Sequence, residues 1–304
     1  MLRGNNLHYK KTFCYYLKSA GIFAVEFTCG FKVLRKISVM NIDKLTHQVA
    51  DLSHLTGNII KNELHSFTIK DVKSKGLHNF VSYVDKMSEE KLVAGLGEML
   101  PEAGFIVEEN TKTNRGDRYN WVVDPLDGTT NFIHGIPLFS ISIALLDRQE
   151  VILGVVYEIN LDECFYAWKN SPAFLNGNQI HVSDAGILDD SLIATGFPYT
   201  DYTKLDPYLD LFRYLLEHTH GLRRLGSAAV DLAYVACGRF EGFYEYGLNA
   251  WDVAAGSLIV KQAGGSVTDF ANANNYIFGR EILATNKKIH SELFSVIKKY
   301  FAQN

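Results

Sequence analysis

The chain has 304 residues, 47% of them hydrophobic and 21% charged, with a formal net charge of -4 at pH 7. That is ordinary globular composition, long enough for a sizeable core in one large domain or two. It implies no polyphosphate-binding surface, so nucleic acid is not an expected partner, and an anionic substrate would need cations between itself and the protein.

Residues 1–40 carry seven Lys/Arg (Arg3, Lys10, Lys11, Lys18, Lys32, Arg35, Lys36) against one acid, Glu26. The apolar stretch from Gly21 to Phe31 is interrupted by Glu26 and is too short for a spanning helix. It also lacks the shape of a signal peptide. Residues 1–40 therefore read as an N-terminal extension outside the fold, with the folded domain starting near Met40. From there Ile42, Leu45, Val49, Leu52, Ile59, Ile60 and Leu64 recur at mostly helical spacing, which predicts an amphipathic helix over 42–64. A second helix is expected from Asp85 towards Leu100, stopped by Pro101.

Strands follow at Phe105–Val107, Trp121–Asp124, Ser140–Leu146, Val151–Ile159 and Cys164–Trp168, with a turn at Asn176-Gly177-Asn178. The last third alternates. Leu192–Thr195 and Phe240–Tyr246 read as strands; Pro207–His218, Ser227–Ala236 and Ala250–Ala263 read as helices, the last stopped by Gly264-Gly265. Ser266–Phe270 and Ile282–Ala284 are expected strands, and Lys287–Phe301 a closing helix capped by Asn286. Such mixed runs predict a layered α/β (mixed α+β) domain over 41–304, in two packed halves of about 41–185 and 186–304. The cysteines, Cys14, Cys29, Cys164 and Cys237, are scattered without a C-x-x-C pair. That spacing fits thiols in a reducing, cytoplasmic compartment better than a disulfide framework.

The most informative segment is Trp121-Val122-Val123-Asp124-Pro125-Leu126-Asp127-Gly128-Thr129-Thr130-Asn131-Phe132. A buried-looking strand ends in an Asp, a Pro sets the turn, and a second Asp follows three positions on. Two carboxylates and the Leu126 carbonyl could converge on a hard cation such as Mg²⁺. Gly128 allows close approach of the backbone, and amides of Gly128, Thr129 and Thr130 at a helix start would face an anion. Alone, the segment reads equally as a solvated Asp-Gly turn. Glu108-Glu109 after one apolar run and Trp251-Asp252 opening a helix after another each have a bland reading too, as surface acids or a first-turn dipole contact.

Together these segments resemble the inositol monophosphatase family, within the Mg²⁺-dependent, Li⁺-sensitive phosphatases. Asp124–Asn131 is similar to D-P-[IL]-D-G-T-T-N, and Trp251-Asp252-Val253-Ala254-Ala255-Gly256 to W-D-x-A-A-G. Lys75 to Asp85 resembles K-x3-D-x-V-T-x2-D, and the likeness continues through Gly226-Ser227-Ala228-Ala229-Val230 and Tyr244-Glu245, covering about residues 42–302. The resemblance implies an α-β-α-β-α sandwich, a homodimer, and two to three Mg²⁺ per active site. Glu108, Asp124 and the Leu126 carbonyl would hold the first cation. Asp124, Asp127 and Asp252 would hold the second, and a third would sit near Glu108 through water.

Further roles follow from the same resemblance. Thr129 with Glu108 would activate the attacking water, supported by Asp85. Gly128 and Thr129 would bind phosphate. Gly226, Ser227, Ala228, Glu245 and Asp252 would line the side that takes the polyol. The expected reaction is hydrolysis of a small phosphomonoester, myo-inositol 1-phosphate first, by metal-activated water, with no phospho-enzyme. Alternatives are fructose 1,6-bisphosphatase or 3′-phosphoadenosine 5′-phosphate phosphatase activity, or a regulatory protein-binding role on the same fold. The chain departs from the family pattern at Val107 (usually Gly), Asn110 (usually Ser), Asn79 (Asp) and Ser82 (Thr). These touch the third cation and hydrogen bonding around the site. Arg223-Arg224 could reach a phosphate but reads better as a surface or dimer contact at a strand end, and no histidine pattern suggests a metal site.

Overall fold

The computed structural model describes residues 14–18, 21–28, 31–37, 40–64, 67, 73–76, 79–197 and 201–301. The chain divides into two units, Met1–Asn41 and Ile42–Asn304. In the first, β1 (Cys14–Lys18), β2 (Gly21–Thr28) and β3 (Phe31–Ile37) form an antiparallel sheet in sequence order. The segment set aside as an extension therefore carries strands of its own. The remaining residues of that stretch lie outside the described ones.

The second unit opens with α1 (Ile42–Glu63), which buries Leu45, Val49, Leu52 and Ile60 along one stripe, as the periodicity predicts. Each such side chain, fully buried, contributes roughly 1.5–3 kcal/mol. A short hairpin, β4 (Lys73–Gly76) and β5 (Asn79–Val81), leads into α2 (Tyr83–Met99). This helix begins two residues ahead of the predicted start. Ser82 caps it, its hydroxyl accepting from the Val84 amide, and the Asp85 carboxylate reaches back to the Ser82 amide. Ser82, one of the departures from the family pattern, thus serves as the cap of this helix.

A seven-stranded sheet follows: β6 (Gly104–Val107), β7 (Tyr119–Asp127), β8 (Ser140–Asp147), β9 (Glu150–Glu158), β10 (Glu163–Trp168), β11 (Ala173–Leu175) and β12 (Asn178–Ile180). They lie in simple sequential order, β6 parallel to β7 and the rest antiparallel. One helical turn, α3 (Thr129–Ile133), interrupts the path from β7 to β8. The β11–β12 hairpin turns on Asn176 and Gly177, both at positive φ (47° and 81°), the Asn-Gly chemistry read from the sequence.

The second sheet runs β14 (Gly221–Arg223), β13 (Leu192–Thr195), β15 (Gly242–Tyr246), β17 (Glu281–Thr285), β16 (Ser266–Thr268), with β13 parallel to both neighbours. Its helices are α4 (Leu205–Glu217), α5 (Ala228–Ala236), α6 (Ala250–Gln262) and α7 (His290–Phe301). Two expected boundaries move. β16 stops at Thr268 because the Asp269 carboxylate accepts the amides of Ala271, Ala273 and Asn275 and turns the chain. α7 starts at His290 rather than Lys287, since Lys287 sits at φ 72°, while Asn286 Oδ1 accepts the Ile289 amide.

The layers are α1 and α2 on the outer face of the first sheet, α5 and α6 between the sheets, and α4 and α7 outside the second. This is the α-β-α-β-α sandwich expected. The middle layer is tight. A Cβ at Gly154 of β9 would come within 2.7 Å of the Ala255 carbonyl oxygen of α6, so strand and helix meet backbone to backbone. Residues 253–260 are all buried, as a helix covered on both sides must be. No helix among the described residues is long and apolar enough to cross a membrane.

Candidate active site

Asp124 and Asp127 are three residues apart on one strand, so strict alternation would send them to opposite faces. The pairing with β8 resolves this. Asp124 lies opposite Ser142 and Asp127 opposite Ser140, three steps on β7 against two on β8, which is a β-bulge. Pro125 sits inside it, where a residue without an N–H costs the ladder nothing. The extra residue shifts the parity, and both carboxylates line one cavity of about 210 Å³.

Gly128 follows at φ 99°, a left-handed conformation that disfavours any side chain. It turns the chain into α3, and Asn131 then pins this turn by donating from Nδ2 to Leu138 O (2.7 Å) and Leu225 O (2.8 Å). Thr129 lies at the cavity, its Oγ1 3.0 Å from Asp85 Oδ1 and 3.1 Å from Leu126 O. The Asp85 side chain is fully buried and Oδ2 is taken by the amide and hydroxyl of Ser82. Asp85 therefore stands behind Thr129 rather than in the cavity wall.

The central helices bring the remaining acids. Asp127 Oδ2 accepts from Ser227 Oγ and from the Ala229 amide, both at 2.7 Å, and so caps α5 across a hundred residues of sequence. Asp252 holds the start of α6, its Oδ2 accepting the Asn249 amide at 2.6 Å. Ser142 Oγ donates to Trp251 O and ties that same turn to β8. Asp124 Oδ1 accepts the Leu126 amide at 2.9 Å. Glu108 enters from the end of β6, its amide bonded to Val123 O. Glu108, Asp124, Leu126, Asp127 and Asp252 all line the cavity, as do Gly128, Thr129, Gly226, Ser227, Ala228 and Glu245.

This much negative charge in one buried place is costly, and it raises the acids' affinity for protons. Burial, then Glu108, Asp127 and Asp252, push Asp124 well above the usual carboxylate range. Burial raises Asp127 to about 6 against the Ser227 and Ala229 hydrogen bonds, and burial with Asp127 raises Asp252 to about 7. Among the described residues, no three His, Cys, Asp or Glu side chains are drawn together into a closed cage. Asp124, Asp127 and Asp252 each accept hydrogen bonds of their own. The donors are carboxylate and carbonyl oxygens, hard ligands that suit Mg²⁺ and would be relieved of that repulsion by it.

Several cavity residues carried no signal in sequence. Arg224 was expected at the surface. Its side chain instead enters the cavity wall, with the guanidinium 5.2 Å from the Phe197 ring centroid, while Arg223 is exposed. Its positive charge acts on Asp127, Asp231 and Glu245 together, opposing the rise that burial imposes on each. Asp231, in the first turn of α5, also lines the cavity, as does Arg280 from the loop before β17. Ser227, expected on the polyol-binding wall, spends its hydroxyl on Asp127 and Ser140.

Glu245 reaches the cavity from β15 only because residue 196 is glycine. A Cβ built on Gly196 would overlap the Glu245 carboxylate. Gly196→Ala is expected to push that flexible side chain aside, leaving thermal stability nearly unchanged while raising substrate KM roughly 10-fold, the worth of a hydrogen bond to a charged group. Steady-state kinetics beside a melting curve checks this. A kcat loss at constant KM would mean that Glu245 does not touch bound substrate.

Comparison with known proteins agrees with this architecture. The profile of the inositol monophosphatase family matches residues 41–301. An inositol-1-monophosphatase of Mesorhizobium japonicum is 40% identical over 229 residues, covering 75% of this chain and 86% of that protein. The Nus factor SuhB of Pseudomonas aeruginosa is 39% identical over 249 residues, 80% of this chain and 92% of the relative. The crystal structure of the extragenic suppressor protein suhB from Bartonella henselae superposes with a TM-score of 0.80 at 37% identity, over 84% of this chain and 99% of that one. With the match spanning nearly all of the second unit, the chain belongs to the inositol monophosphatase family, a family of phosphatases.

Proposed function

We propose that this protein is a Mg²⁺-dependent phosphomonoesterase whose first substrate is myo-inositol 1-phosphate. The observation that carries the reading is the meeting, in one cavity, of Glu108, Asp124, Asp127 and Asp252 with Thr129 and Glu245. Glu108, Asp124 and the Leu126 carbonyl would hold one cation, Asp124, Asp127 and Asp252 another, and a third would lie near Glu108. When bound, these cations neutralise the phosphoryl oxygens, acidify a water and stabilise the leaving alkoxide.

The protein's own groups do the rest. Glu108 and Thr129 orient the attacking water, and Thr129 Oγ1 passes its hydrogen bond on to Asp85 Oδ1, 3.0 Å away. The backbone at Gly128 and Thr129 faces the phosphate. Glu245, 6% exposed and facing the cavity, accepts hydrogen bonds from substrate hydroxyls beside Ala228. Burial raises Glu245 well above its usual range, and the Arg224 guanidinium opposes that rise. A homodimer in a reducing, cytoplasmic setting completes the reading, the latter supported by Cys164 and Cys237 being free.

Phosphate release from inositol 1-phosphate, fructose 1,6-bisphosphate and 3′-phosphoadenosine 5′-phosphate, with and without Li⁺, decides among substrates. The expected outcome is at least a 10-fold preference in kcat/KM for inositol 1-phosphate and inhibition by Li⁺. Preference for the adenylate would sink the inositol assignment. A second reading, a regulatory protein-binding role, draws on the relatives named Nus factor. Capture of a defined protein partner by a folded, inactive variant would support it.

A further inference from the structure

The loop that delivers Glu108 is held from outside the cavity by a residue with no part in the family motifs quoted above. Glu89 lies on α2 and its side chain is fully buried. Its two carboxylate oxygens accept two backbone amides of one loop: Oε2 takes Glu109 N at 2.6 Å and Oε1 takes Thr111 N at 2.8 Å. Between them Asn110 turns the chain at φ 57° and its Nδ2 donates back to Glu108 O at 3.2 Å. Just past β6 the sheet bonds the Glu108 amide, 3.3 Å from Val123 O, and next takes up the loop at Asn114, whose carbonyl accepts the Phe105 amide at 2.7 Å. The course of the chain immediately after Glu108 is thus set by a bidentate, charge-assisted grip from the helix.

Asp85 lies one turn earlier on the same helix. Residues i and i+4 share a face, so Asp85 and Glu89 point the same way. Asp85 holds the Thr129 hydroxyl, and Glu89 holds the Glu108 loop. Glu108 follows β6 and Thr129 opens α3 after β7, and a shift of either by about 1 Å would spoil a shared water. One rigid helix spaces both.

We propose that Glu89 is a positioning residue that places the Glu108 carboxylate for cation binding, and that α2, through Asp85 and Glu89, is the common reference for the two groups that handle the attacking water. The proposal rests on the reading of Glu108 as a Mg²⁺ ligand. Glu89→Gln keeps volume and one acceptor oxygen but turns an NH₂ toward an amide N–H. Glu89→Asp keeps the charge and falls short of the loop.

Mg²⁺ titrated calorimetrically into the substrate-free full chain gives a readout independent of turnover. Both Glu89 variants are expected to bind Mg²⁺ about 10-fold more weakly, the usual cost of losing a group that orients a ligand. The Mg²⁺ concentration for half-maximal activity should rise in step while substrate KM stays within twofold. Glu90→Gln, an exposed neighbour, should leave Mg²⁺ affinity unchanged. So should Leu92→Val, which loosens the buried face of α2 without touching the loop. Glu89 variants that bind Mg²⁺ like the unaltered chain, or Leu92→Val weakening binding equally, would overturn the proposal. Glu108→Gln separates the two layers. If it binds Mg²⁺ normally, the ligand assignment falls and the proposal with it. If it loses binding while the Glu89 variants do not, the positioning role alone falls. Should Glu89→Gln fail to fold, Glu89→Asp decides.

Discussion

Asp127→Asn is expected to lower phosphate release by about 1,000-fold or more at saturating Mg²⁺, a loss on the order of 4 kcal/mol of transition-state stabilisation. The reason is the division of labour between its two oxygens. Oδ2 accepts Ser227 Oγ and the Ala229 amide, and an Asn oxygen can accept both, so the start of α5 stays capped and the protein stays folded. The other oxygen becomes an NH₂ group, a donor facing the cations. Melting within a few degrees of the unaltered protein, with turnover lost, is the predicted pair of observations. Near-normal turnover at saturating Mg²⁺ would remove Asp127 from the ligand set.

Chelation by EDTA is expected to abolish activity and to make stability fall as pH rises. The sign follows from the direction of the shifts. Asp127 and Asp252 have folded-state values raised to about 6 and about 7, above an ordinary carboxyl, and Asp124 is raised well above it as well. The folded state therefore binds protons more tightly than the unfolded chain through this window. Without cations, the stability that these three acids contribute is fully present below the ordinary carboxyl range and is lost as pH climbs from about 4 through about 7. Mg²⁺ replaces those protons, so its stabilising effect should be small at pH 5 and large at pH 8, raising Tm at pH 8 by roughly 5 °C or more. Equal stabilisation at both values would mean that Mg²⁺ binds somewhere other than these acids.

How far these residues could be read in advance depended on how local their signals are. The stripe of α1, the Asn-Gly turn and the Gly stop after α6 all lie within one turn or one period, and each was legible. α6 itself was harder. Buried on both sides, it has no polar face and hence no amphipathic period, and its helical reading rests on the Gly264-Gly265 stop. The Lys287 boundary failed because a left-handed residue is a property of the turn around it.

The candidate site divides in the same way. The sequence alone determined the chemistry on offer: carboxylates at Glu108, Asp124, Asp127 and Asp252, a hydroxyl at Thr129, and the family motifs that contain them. The tertiary structure decided how they meet. The bulge at Pro125 puts two acids of odd spacing on one face, which strict strand alternation forbids. Ser227 proved to be a partner of Asp127, Arg224 a wall of the cavity, and Glu89 the grip on the Glu108 loop, over separations of 100 residues in the first case and 20 in the last. Hydrogen bonds and charge pairs depend on distance in space, which chain position does not record until the sheets and helices have packed.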